Sequence, residues 1–144
     1  MFATPTFAQS PQDLMFPSAD SCYQRSYSAA HLAKHPAQRV TELRLGPDAG
    51  MAATGLALRV EVRLRGTPGG WFEGYGYCES AGGVTLDCLM EGDAGDFAVT
   101  PARGGILVTV GRSGMSFEND AGFVTLERNR GDDRSFLLRP SPCG

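Results

Sequence analysis

Two histidines, a run of carboxylates, a cluster of aromatic rings and four cysteines hold most of the chemical capacity of this chain. His31 and His35 stand four apart, a spacing that on a helix brings both rings to one side and could seat a metal ion. A zincin helix would need Glu in the place of Leu32 to activate water, and Pro36 biases His35 away from helical geometry. A capping or locally hydrogen-bonded role is therefore expected of both. Glu91, Asp93 and Asp96 surround Gly92 and Gly95, and carboxylates crowded on a glycine-bearing loop can ligate calcium. Their spacing departs from that of an EF-hand loop. Asp and Gly also dominate tight turns, because Asp bonds its own backbone and Gly takes positive φ. Asp93 and Asp96 are read as turn residues, as are Glu118, Asn119 and Asp120 before Gly122, and the pair Asp132 and Asp133. No metal or other cofactor is expected.

The stretch from Gly69 to Tyr77 sets Trp71, Phe72, Tyr75 and Tyr77 among glycines. Glycine in a strand lets another backbone or a ligand come close, while Trp and Tyr combine apolar area with a polar tip. Strand alternation puts Trp71, Tyr75 and Tyr77 on one face and Phe72, Gly74, Gly76 and Cys78 on the other. If the second face is core, the first is an exposed aromatic strip able to bind carbohydrate, peptide or protein. The competing expectation is that these rings simply shield the strand. Nucleophilic catalysis finds no local pattern: there is no Gly-x-Ser-x-Gly elbow and no glycine-rich phosphate loop opening a helix. A carboxylate pair for glycoside hydrolysis would be made by the fold and does not show in a sequence.

Cys22, Cys78, Cys88 and Cys143 form an even set with no Cys-x-x-Cys pair, which argues against a zinc knuckle or a thioredoxin-type site. In a small β-rich chain such a set fits an oxidising compartment. Cys78 and Cys88 share the phase of their strands' apolar faces, so they are expected to pair across one hairpin with Gly83 at the centre of its loop. Cys22 and Cys143 would then tie the ends of the domain. Thr6-Phe7-Ala8 before Gln9 resembles the end of a signal peptide, with small residues three and one positions before a cut. Both signals point to a periplasmic or extracellular location.

The net charge of -3 lacks the basic excess that phosphate neutralisation demands, so nucleic acid is not an expected partner. No apolar stretch approaches the roughly 20 residues that a membrane-spanning helix needs. Lys34 is the one lysine among 13 basic residues, and Arg with abundant Ala, Gly and Pro is what a GC-rich bacterial genome is expected to produce.

The elements that must position these groups are mostly strands. Residues 1–20, with Pro5, Pro11 and Pro17, show no sustained period and are read as a signal remnant and flexible arm ahead of a single β domain over 21–144. Ser28 to His35 offers a cap, helix formers and a terminating proline, so one short helix is expected near 28–35. Period-two alternation then appears in nine segments, clearest where Leu56, Leu58, Val60, Val62 and Leu64 interleave with Arg59, Glu61 and Arg63. Turn signals at short intervals favour antiparallel neighbours. A mostly β meander of about 8–9 strands, forming a small barrel or a sandwich, is the expected fold. The expected function is a non-enzymatic binding module for a protein or an envelope polymer, with a barrel carrier of a small apolar ligand as the alternative and an envelope-polymer enzyme third.

Overall fold

The computed structural model describes residues 9–51, 55–66 and 70–144. Its architecture follows from alternation. In β3 (Leu56–Leu64) the apolar series from Leu56 to Leu64 is buried while Arg59 and Arg63 are exposed. The pattern recurs in β4 (Phe72–Ser80), β5 (Leu86–Met90) and β6 (Gly95–Ala102). Every such strand has one face to cover, and rolling the sheet onto itself covers them all while removing its edges.

The chain does this by adding strands in order. From β1 (Tyr23–Ser26) through β2 (Val40–Pro47) to β7 (Gly105–Asn119), each strand is antiparallel to the next. β9 (Ser135–Pro140) then fits between β7 and β1, closing eight strands into an antiparallel barrel. The ninth strand, β8 (Gly122–Leu126), pairs only with β7 among the described residues. Of the two expected architectures, the molecule adopts the barrel. Phe72, Met90, Phe97, Val108, Phe117 and Phe136 are each at most 2% exposed and belong to one continuous core.

Two of the nine alternating segments, 106–110 and 114–118, fall within β7. They form a single strand bent between Gly111 and Gly114. Its first half lies between β6 and β9, whereas its second half pairs with β8 and meets β4 where Glu73 faces Glu118. The register against β6 shifts between Gly95 and Phe97 at this bend. Asp96 secures it, accepting the Ser113 N–H at 3.1 Å and packing its carboxylate where a side chain on residue 111 would otherwise stand.

Two segments without a readable period also join the barrel. The helix α1 (Pro11–Met15) starts on Ser10, whose hydroxyl accepts the Asp13 N–H at 3.0 Å. It delivers Met15 and Phe16 into the core, and the Tyr23 hydroxyl donates to the Met15 carbonyl at 2.5 Å. One helical turn is too short to repeat a pattern, which is why this anchoring is absent from the reading of residues 1–20 as an arm. The strand β1 escapes notice for the same reason: four half-buried or exposed residues carry no alternation. The candidate cleavage site at Thr6-Phe7-Ala8 and the residue Gly69 lie outside the described residues.

The helix expected near 28–35 is α2 (Ala29–Lys34), with Ser28 as its cap, accepting from the His31 N–H at 3.1 Å. It buries no residue of its own. Arg65 holds it instead, its guanidinium donating to the carbonyls of Leu32, His35 and Gln38. Both expected disulfides form: Cys78 with Cys88, directly opposed across β4 and β5 as their strand phases require, and Cys22 with Cys143, which ties the two ends of the domain. Gly82 and Gly83 both take positive φ in the hairpin loop between the first pair. The Ala81 N–H to Thr85 carbonyl bond puts the odd-numbered residues in hydrogen-bonded positions, leaving Cys78 and Cys88 in the closer, non-hydrogen-bonded kind. Among the described residues no helix is long and apolar enough to cross a membrane.

Candidate functional site

β4 divides its residues between the barrel interior and the outer surface. Phe72 and Gly76 are buried, and the two glycines on this inner face make room for core side chains: a side chain at Gly76 would collide with the ring of Phe97, and one at Gly74 with the methyl of Met90. The close approach that glycine permits here is internal. Trp71, Tyr75 and Tyr77 lie outward, as the strand phase demands, but they do not form one continuous strip. Trp71 covers charge, with the Arg44 guanidinium 3.9 Å and that of Arg63 5.4 Å from its ring centroid. Tyr75 is half-buried one step along. Tyr77, 39% exposed, faces a different cleft alongside Leu89.

Beneath Trp71 runs a ladder of ion pairs across β2, β3 and β4. Arg44 meets Glu61 at 3.2 Å, Arg59 meets Glu73 at 2.7 Å and Glu61 at 3.7 Å, and Arg63 meets Glu42 at 3.3 Å. Individually such surface pairs contribute little, roughly 0–1 kcal/mol each. As a lattice capped by an indole they fix the outer face in one arrangement. Burial, with the Glu73 carboxylate adding to it, raises the Tyr75 phenol above its ordinary pKa.

Two open clefts of about 470 and 520 Å³ flank the contact of β4 with β7 and share Glu73 and Glu118. Together they make a trough. Tyr75 and Phe123 border its first part and Trp71 its second, past the Asn119 to Ala121 turn. Phe123, on β8 directly opposite Glu118, is 77% exposed. Its exposure escaped the sequence reading, although a Phe immediately after a hairpin glycine, out of phase with Val124 and Leu126, is the signal that could have found it.

The remaining candidates are dispersed. His31 and His35 stack on each other with ring centroids 4.3 Å apart, and Tyr27 packs against His31 at 4.7 Å. His31 Nε2 pairs with the Gln38 side-chain oxygen at 2.9 Å, and His35 Nδ1 lies 3.7 Å from Asp132. Both imidazoles thus serve to dock α2. Asp93 lines the trough and Asp96 holds the bend of β7, so the two do not converge. No group of three metal-ligating side chains occurs among the described residues. A buried carboxylate, Asp133, passed as a turn residue in the sequence; it accepts the N–H groups of Arg39 and Val40 at 2.9–3.1 Å.

Comparison with protein-family models, with curated proteins and with solved structures yields no match to this chain.

Proposed function

We propose that this protein is an exported, non-enzymatic binding module, periplasmic or secreted, that engages a protein partner through the outer face of β4 around Trp71 and Tyr75. One observation carries the reading: the barrel interior is packed with side chains, while the aromatic rings and the open clefts sit outside on rigid strands. A carrier of a small apolar ligand needs an enclosed apolar cavity, and the packed core speaks against one. A glycoside-cleaving pair needs an acid sheltered from water, whereas Glu118 is exposed. Two disulfides support export, since such bonds persist in oxidising compartments.

The test is affinity capture from cell-envelope extract with the full chain and with a Trp71→Ala, Tyr75→Ala variant. Capture of a defined protein should fall by about tenfold or more, as expected when central aromatic anchors are removed, with the far-ultraviolet circular dichroism unchanged. A folded variant that captures as well as the parent overturns the reading. So does a variant that unfolds, because the rings would then belong to the stabilising core.

A further inference from the structure

The sheet face where β4 meets β7 and β8 is charged in one sense and bordered by rings. Glu73, Glu91, Asp93 and Glu118 line the first cleft, Asp120 continues the series in the second, and among the described residues Arg59 is the one basic side chain lining either. Arg59 is already engaged with Glu61 and Glu73. Glu91, Asp93, Glu118 and Asp120 make no ion pair with any described residue.

Strand register adds an independent constraint. It sets Glu118 directly opposite Glu73, whose carboxylate is already engaged by Arg59, so Glu118 is left without a cation of its own among the described residues. Phe123 has the greatest exposure of the described large apolar residues and stands beside these carboxylates, facing Tyr75 across the cleft. An apolar ring next to unneutralised carboxylates suits a side chain with an apolar stem and a cationic head, which describes Lys and Arg.

We infer that this face receives a cationic segment of the partner protein, with Lys or Arg heads among Glu91, Asp93 and Glu118 and their stems against Tyr75 and Phe123. The inference rests on the binding-module reading and specifies the chemistry of its partner. Complementary charge of this kind accelerates encounter and selects among partners, and it weakens as salt screens the exposed carboxylates.

The probe is a hexa-arginine peptide titrated into the full disulfide-bonded chain at low salt, followed by backbone amide chemical shifts, with a neutral Gly-Ser peptide as control. Shifts should concentrate at residues 73–75, 91–94 and 116–123. An Asp93→Asn, Glu118→Gln variant should raise the Kd about tenfold. A Glu79→Gln, Asp87→Asn variant, which removes the same charge from the β4–β5 hairpin, should change it less than about twofold. Absence of binding, shifts spread evenly over the surface, or equal weakening by both variants would overturn the inference. Envelope-extract capture separates its failure from that of the parent reading. If capture survives Asp93→Asn, Glu118→Gln but is lost with Trp71→Ala, Tyr75→Ala, the cationic partner is wrong and the module stands; if capture ignores all four positions, the module reading itself falls.

Discussion

At the scale of single residues, Asp133 carries the clearest energetic consequence. Its carboxylate is 2% exposed and accepts backbone N–H bonds from Arg39 and Val40, pinning the loop before β9 to the start of β2. A hydrogen bond to a charged group contributes about 1.5–3 kcal/mol, and a buried donor left without an acceptor costs about 1–3 kcal/mol. Asp133→Ala should therefore destabilise the protein by about 2–4 kcal/mol, and Asp133→Asn, which keeps one acceptor oxygen, by about half as much. Urea unfolding checks this: a lower midpoint with unchanged slope is the expected result, and a midpoint within error of the parent would refute it. Nothing in the sequence separates Asp133 from Asp132. Both follow Gly131 in a turn-rich run, and only the packing of that loop against β2 distinguishes a buried anchor from an exposed neighbour. The phases of Trp71, Tyr75 and Tyr77 were legible because alternation is a local rule, whereas their division among three clefts depends on β7 and β8, which are distant in sequence.

At the scale of elements, the bend of β7 is what creates the trough, since it takes the strand's second half away from β9 and lays it toward β4. Gly95 makes the bend possible. Its φ is +104°, and a side chain there would collide with the Gly114 carbonyl, itself on a positive-φ residue. Gly95→Ala combines a strained backbone with a clash against main chain and should cost at least about 2 kcal/mol. Gly92→Ala, at φ +64° with open space around it, carries only the left-handed penalty of about 1–2 kcal/mol. The pair of variants separates the two contributions: if chemical denaturation shows Gly92→Ala to be as damaging as Gly95→Ala, the close approach at the bend is not what holds it. Elements long enough to repeat, such as β3 over its nine residues, are legible in sequence. Those held by a few specific contacts are not: α1 rests on a cap and two buried side chains, β1 on its neighbours, and the bend of β7 on Asp96 and Gly95.

At the scale of the whole molecule, closure is the property that alternation alone leaves open, because barrel and sandwich bury the same faces and differ in whether the last strand returns to the first. Here the ring closes between β1 and β9 through two residue pairs, Tyr23 with Pro140 and Gln24 with Arg139. Every other consecutive seam of the ring has at least four. The Cys22–Cys143 disulfide sits beside this short seam, and the Ser141 N–H donates to the Cys22 carbonyl at 2.9 Å. Its two cysteines are 121 residues apart, against 10 for Cys78 and Cys88. Chain entropy assigns closure of the long loop about 4–5 kcal/mol and of the short one about 3 kcal/mol. Location adds to this difference, because the short loop spans a hairpin already aligned by its own ladder, whereas the long one staples the place where the barrel would open. Replacing Cys22 and Cys143 by Ala should lower Tm by roughly 10–20 °C, using about 2–4 °C per kcal/mol for a domain of this size. It should also raise amide exchange selectively in β1 and β9, the strands that lose their tether. Replacing Cys78 and Cys88 should lower Tm by less and leave β1 and β9 protected. Hydrogen exchange of the two double variants decides between tether and bulk stabiliser: uniform loss of protection through all strands in the Cys22→Ala, Cys143→Ala protein would show that this disulfide acts on the unfolded chain alone and does not guard the seam.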